Sequence, residues 1–177
     1  GNKVLAQYYL NEKSIMLSMN HPFIVGLVNT YKTSELIFFL MEYVEGVSLR
    51  EYITNRDKVL RNLKAAPFFG GIMFIVLNYL QKMRIIHRDL KPENLMIETN
   101  GYLKVIDFGI AKDLSGKDST HTLIGTPHYM APEIILGKRY SFAADYWSVG
   151  IILYELFYGK IPFGVNVVDS NKVFAEI

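Results

Sequence analysis

The sequence predicts an α+β fold in which a helix and two strands precede a mostly helical block. Three observations carry this. Apolar groups recur at helical spacing through residues 4–19. Two runs rich in Val, Ile, Phe and Tyr follow at 23–32 and 36–44. Beyond them long apolar stretches at helical length alternate with short turn signals.

The elements can be justified in order. Leu5, Tyr8, Tyr9, Ile15, Met16 and Met19 mark one helix face, with Glu12 between them. His21-Pro22 ends that helix, because the residue before a proline disfavours the α region. The two β-rich runs flank the polar stretch Thr33-Ser34-Glu35 and read as antiparallel strands. Gly46 breaks the pattern, and a helical run begins near Leu49. Residues 65–83 read as a buried helix with Pro67 acceptable in its first turn. Leu95–Glu98 and Leu103–Ile106 read as strands of a hairpin around Asn100-Gly101. From Lys112 to Thr126 the polar, turn-rich composition predicts a mobile loop. Helices follow near Ala131–Leu136 and Ala143–Tyr158, and the start of another at the end of the sequence.

Composition narrows the class. In 177 residues, half are apolar and 20% charged, which suits one globular domain rather than a disordered tail. A net charge of +2 is too small to argue for nucleic acid or a membrane surface. The absence of Cys removes disulfides and Cys-based zinc sites, and agrees with a reducing, cytoplasmic compartment. The first residues lack the layout of a signal peptide. Ala65–Leu77 is too short to span a membrane, which takes about twenty residues. The four His are scattered without ligand spacing, so no His-metal site is expected.

The chemistry is concentrated in three motifs: HRDLKPEN at 87–94, DFG at 107–109 and GTPHYMAPE at 125–133. Asp89 alone would read as a surface or capping residue, but its setting changes that. In this order and spacing the motifs resemble the eukaryotic-type protein kinase family, and the resemblance runs from end to end. It implies a two-lobe fold truncated at both ends. Residues 1–44 would be a remnant of the small lobe and 45–177 a partial large lobe.

Phosphoryl transfer needs an aligned hydroxyl, a held triphosphate and neutralised charge. The resemblance assigns Asp89 as the base, Lys91 as the cation beside the transferring phosphoryl, and Asn94 and Asp107 as ligands of Mg²⁺ (or Mn²⁺). Thr126 and Lys91 match the serine/threonine-kinase arrangement rather than the tyrosine-kinase one. Glu12 resembles the helix glutamate that pairs with the ATP-binding lysine. Met41, Glu42, Tyr43 and Val44 resemble the linker that holds adenine, with Met96 and Ile106 as its apolar floor and the Glu93 carbonyl near the ribose. His87, among apolar neighbours, reads as a packed residue in a column with Met16, Leu27 and Phe108, with Asp145 bonding the catalytic-loop backbone beneath.

Thr122 matches the phosphorylatable threonine of the cyclic-nucleotide-dependent subgroup, with Arg88 and Lys112 as phosphate partners. Leu123, Pro127 and Met130 would form a socket for the residue after the phosphoacceptor. Glu93 and Glu155 match acidic positions that meet basic substrate residues in basophilic relatives. Ser48 departs from that pattern where relatives carry an acid, and Tyr8 departs where they often carry a base. NEKSIM, LMEYVEG and THTLIGTPHYMAPE are most similar to the cAMP- and cGMP-dependent protein kinases, with the cGMP-dependent kind favoured. Expected partners are ATP, Ser/Thr-containing protein substrates and a cyclic-nucleotide-binding regulatory domain, with neither nucleic acid nor a membrane span.

No G-x-G-x-x-G loop and no V-A-I-K-like strand are found in the sequence. Two other readings stand beside the active kinase. A non-catalytic scaffold is disfavoured by intact Asp89, Lys91, Asn94 and Asp107, and a small-molecule phosphotransferase by GTPHYMAPE. The expectation is an internal kinase fragment that is marginally folded and inactive when expressed alone, because two strands fall short of the roughly three needed for an independent sheet. A phosphorylation assay on the purified 177-residue chain checks this: background-level transfer is expected, and robust Mg-ATP-dependent transfer would contradict it.

Overall fold

The computed structural model describes residues 2–34, 36–55 and 65–177, with side chains from Tyr9 onward. The side chains of Leu5 and Tyr8, and residue Glu35, therefore lie outside the described residues. Helix α1 (Asn2–Ser18) buries Ile15 and Met16, and the Ser18 hydroxyl donates back to the Ile15 carbonyl in its last turn.

Strands β1 (Leu27–Lys32) and β2 (Ile37–Met41) pair antiparallel from Leu27↔Met41 to Lys32↔Ile37. Both are shorter than the sequence predicts. Ile24 and Val25 are buried and run beside Val105 instead, with Val25 N–H donating to the Val105 carbonyl and Val105 N–H to that of Phe23. At that same end of the ladder the Glu42 N–H donates to the Gly26 carbonyl, just beyond the Leu27↔Met41 pair where β2 stops.

Strand β3 (Gly46–Ser48) is a finding that the sequence reading missed. It joins β5 (Leu95–Glu98) and β6 (Leu103–Val105) in a three-stranded antiparallel sheet of order β3-β5-β6. Gly46 is no mere breaker. A Cβ there would lie 1.9 Å from the Ile97 carbonyl oxygen, so only glycine lets β3 approach β5. Strand β4 (Ile85–Ile86) pairs with β7 (Lys112–Asp113), so the segment expected to be a mobile loop begins as a strand. Two residues apiece are too few to leave a periodic signal.

Ser48 then caps α2 (Leu49–Thr54), its hydroxyl accepting the Glu51 N–H. Helix α3 (Ala65–Lys82) buries Phe69, Met73, Val76 and Leu80 and packs along α5 (Ala143–Tyr158). Helix α4 (Pro132–Ile135) precedes α5, and α6 (Ser170–Glu176) follows it. A main core joins α1, α3, the β3-β5-β6 sheet and α5. A second, smaller core gathers Ile86, Leu114, Met130, Ile134, Tyr140 and Ala144 under the segment after β7. No described helix is long and apolar enough to cross a membrane.

Asp145, in the first turn of α5, is 2% exposed. Its two carboxylate oxygens accept the N–H groups of His87 (2.8 Å) and Arg88 (2.9 Å). Arg88 stands at φ 71°, a left-handed conformation that costs a non-glycine residue about 1–3 kcal/mol. Two charge-assisted bonds of about 1.5–3 kcal/mol each offset that strain. Asp145→Ala is expected to cost about 3 kcal/mol or more, lowering Tm by roughly 6–12 °C in a chain of this size. Thermal melting followed by circular dichroism checks it, and an unchanged Tm would contradict the role.

Candidate active site

His87 follows β4 directly and is 1% exposed. Its ring meets Phe108 edge-on with centroids 4.8 Å apart, and Phe108 shares the main core with Met16 and Leu27. Burial lowers the imidazole pKa, and nearby Asp145, Asp107 and Asp89 work in the opposite direction. Of the expected column, the His87–Phe108 contact is in place, and His87 is a packed residue of the wall.

After Arg88 the chain turns outward. Pro92 opens a 3-10 turn (Pro92–Asn94) whose Asn94 N–H donates to the Lys91 carbonyl. The Asn94 carbonyl in turn accepts the Ile106 N–H, joining this loop to the segment before Asp107. Asp89, Lys91 and Asn94 thereby face one point. Lys91 Nζ lies 2.8 Å from one Asp89 carboxylate oxygen, and Asn94 Nδ2 donates to that same oxygen at 3.2 Å. Thr126 completes the group: its hydroxyl donates to the other Asp89 oxygen at 2.7 Å and accepts from Lys91 Nζ at 2.9 Å.

Gly125 makes that last contact accessible. It adopts φ 124°, and a Cβ would lie 2.7 Å from the Arg88 carbonyl oxygen. A glycine is therefore needed to bring Thr126 against the catalytic loop.

Asp107 is exposed and accepts the Gly109 N–H on one oxygen. Asn94 spends its nitrogen on Asp89, so its oxygen is the atom left for a cation. Carboxylate and amide oxygen form a hard donor set that fits Mg²⁺. Glu12 is half-buried nearby, and burial first, then the Asp107 charge, raise its carboxyl pKa. Asn11, beside it, donates to the Ala111 carbonyl and ties α1 to the chain after DFG.

In the linker, the Glu42 carboxylate pairs with Lys104, which is buried and also lies 3.7 Å from Glu98. Glu42 also accepts the Gly26 N–H, so its side chain faces away from the linker's other edge. Met41, Val44 and Ile106 all pack against the main core, while Met96 is half-buried on β5.

Thr122 is half-buried. Its carbonyl accepts the Tyr140 hydroxyl, and its own hydroxyl lies 3.5 Å from that of Thr120. Lys112 Nζ donates to Thr120 (2.8 Å), one hydroxyl short of Thr122. Arg88 Nε donates to the Ile110 carbonyl. Burial, then the Arg88 and Lys117 charges, lower the Lys112 pKa. Among the described residues neither Arg88 nor Lys112 has a carboxylate ion-pair partner. Of the expected socket, Met130 is buried in the second core, leaving exposed Leu123 and half-buried Pro127 as its accessible part.

Glu155 is 4% exposed on α5 and accepts the Tyr129 hydroxyl at 2.8 Å. Arg50 of α2 reaches across to it, bonding Glu155 and also Glu93 (2.8 Å) and the Tyr129 hydroxyl. Burial and Glu155 raise the Tyr129 pKa, and Glu155 with Glu93 holds the Arg50 guanidinium charged against its burial. Arg50, Tyr129, Tyr140, Lys104 and Asn11 are the site residues that sequence reasoning missed. Arg50, Tyr140 and Lys104 stand in no motif, while Tyr129 and Asn11 stand inside GTPHYMAPE and NEKSIM without a role that the motif assigns, and each acts through a contact elsewhere in the chain.

The geometry agrees with what comparison finds. The model of the protein kinase domain matches residues 2–176. A cGMP-dependent protein kinase of Toxoplasma gondii is 42% identical over 171 residues, covering 97% of this chain and 17% of that protein. A cGMP-dependent protein kinase of Eimeria tenella is 43% identical over 166 residues, 94% of this chain and 16% of that protein. The human cAMP-dependent protein kinase catalytic subunit PRKX is 39% identical over 157 residues, 89% of this chain and 43% of that protein. The chain thus spans about a sixth of the cGMP-dependent relatives' length and less than half of the cAMP-dependent one. A helix, a paired-strand segment, the Asp89–Lys91–Thr126 cluster and a family match over nearly every residue converge: the chain belongs to the protein kinase domain family.

Proposed function

We propose that this chain carries the catalytic core of a serine/threonine protein kinase, which transfers the γ-phosphoryl group of ATP to Ser or Thr of protein substrates. The observation that supports it most is the hydroxyl bridge of Thr126 between Asp89 and Lys91. Asp89 accepts the proton of the attacking hydroxyl as the new oxygen–phosphorus bond forms, the bond from the γ-phosphorus to the β,γ-bridging oxygen breaks, and ADP leaves with that oxygen. Lys91 stabilises negative charge on the transferring group, and Thr126 fixes the direction of both side chains. Asn94 and Asp107 would hold Mg²⁺ through their side-chain oxygens, and the ion would supply positive charge to neutralise the phosphates.

Met41, Val44, Met96 and Ile106 would flank the adenine, the backbone of the linker Met41, Glu42, Tyr43 and Val44 would hydrogen-bond to it, and the Glu93 carbonyl would lie near the ribose. Glu12 positions a phosphate-binding lysine. In this reading residues 1–44 belong to the small lobe and 45–177 to the large lobe. Phosphorylated Thr122 draws Lys112 from Thr120 and engages Arg88, ordering the segment through charge-assisted bonds. Leu123 and Pro127 line the socket for the next substrate residue, with Met130 buried behind them. A cyclic nucleotide acting through a regulatory domain controls the whole protein, as the names of the cGMP-dependent relatives suggest, and the setting is cytoplasmic.

Transfer from γ-labelled ATP to mixed Ser-, Thr- and Tyr-containing peptides tests the reading in the longest polypeptide that carries this sequence. Label on Ser and Thr is expected, and label confined to Tyr, or none, would contradict it. Asp89→Asn is expected to lower kcat by about 10²–10⁴-fold with little change in KM, as for loss of a general base. A similar fall in KM-derived affinity alone would place Asp89 outside the chemistry. Thr122→Ala is expected to lower activity in phosphorylated preparations, and activity unchanged by phosphate occupancy at Thr122 would sink that assignment.

A further inference from the structure

A cleft of about 340 Å3 opens beside Thr126, and its walls carry Arg50, Glu93, Glu155, His128 and Lys160. Thr126, which lines this cleft, bonds Asp89, so the cleft lies beside the point that a substrate hydroxyl would reach. Two carboxylates in a peptide cleft would ordinarily select a basic side chain. Here both are taken by the chain itself. The Arg50 guanidinium bonds Glu93 through Nε, both Glu155 oxygens through its terminal nitrogens, and the Tyr129 hydroxyl as well.

Arg50 is not a loose side chain that happens to fold inward. It sits on the first turn of α2, whose neighbouring residues Leu49 and Ile53 are buried and whose start is capped by Ser48. Glu155 is 4% exposed, so expelling Arg50 would strip a buried carboxylate of its counter-charge. A substrate arginine must therefore compete with a tethered, pre-aligned one, at an effective concentration that a free peptide does not reach. Among the described residues Lys160 forms no ion pair and adds an open positive charge to this wall, whereas Glu93, bonded through one oxygen, has its negative charge opposed by Arg50.

We infer that Arg50 is a specificity-determining residue that fills the cation site of this cleft from within, so that the cleft seats an acidic rather than a basic side chain of the protein substrate. The inference rests on the kinase reading above and narrows its substrate class. It is opposite to the basic preference that Glu93 and Glu155 imply when read as free carboxylates.

Fluorescence-anisotropy titration with labelled serine peptides tests it, Glu or Arg being placed in turn at each position flanking the serine. Binding is read separately from turnover. In the natural sequence the tightest Glu peptide is expected to bind about tenfold better than its Arg counterpart. An Arg peptide that binds as tightly or more tightly would overturn the inference. Arg50→Gln, which keeps hydrogen-bonding capacity while freeing both carboxylates, is expected to reverse the order, and an unchanged order in a folded variant would also overturn it. Should that variant fail to fold, the comparison in the natural sequence decides alone. With the longest polypeptide that carries this sequence, which is the protein used for these titrations, phosphoryl transfer to no peptide of either kind would instead fail the kinase reading, and the inference with it.

Discussion

The pair of hydrogen bonds from the His87 and Arg88 amides to the buried Asp145 carboxylate is the constraint on which the rest depends. It holds Arg88 in a left-handed conformation, and this fixes the direction in which Asp89, Lys91 and Asn94 leave the core. The anchor comes from α5, whose register is set by its packing along α3. Orientation of the catalytic loop is thus inherited from the most apolar part of the chain. A loop held only by its own turns would leave the Asp89–Thr126 contact to fluctuate, whereas sites held within about half an ångström need support from rigid elements.

A second layer brings distant segments onto this base. Gly125 lets the chain close on the Arg88 carbonyl, which places Thr126 between Asp89 and Lys91. The Thr120–Tyr140 backbone pair pins the preceding stretch to the loop before α5. Lys112 and Arg88 stand close enough beneath it for Arg88's charge to depress the Lys112 pKa, burial being the larger cause. Among the described residues neither cation has a carboxylate ion-pair partner, which is what supports the proposed phosphate at Thr122.

The sequence was most legible where spacing is dictated by chemistry. Asp89, Lys91, Asn94, Asp107 and Thr126 stand in motifs whose order is hard to reach by accident, and the structure gathers the first three with Thr126 at hydrogen-bond range. The long helices were readable because Ala65–Lys82 and Ala143–Tyr158 have enough apolar residues to sustain a pattern. The short pairings β3–β5 and β4–β7 were not, since they join only three and two residue pairs and the partners lie far along the chain. Arg50 was opaque for a related reason. On α2 it reads as one more solvated cation, and only the tertiary fold carries it to Glu155, more than a hundred residues away.

Hydrogen exchange at the His87 and Arg88 amides is the most direct measure of the central claim. If Asp145 anchors the catalytic loop, both amides exchange only when the whole chain unfolds, with protection equal to that of the α5 core. Exchange of these two amides far faster than the α5 core would show that the loop opens on its own and that the anchor does not hold it.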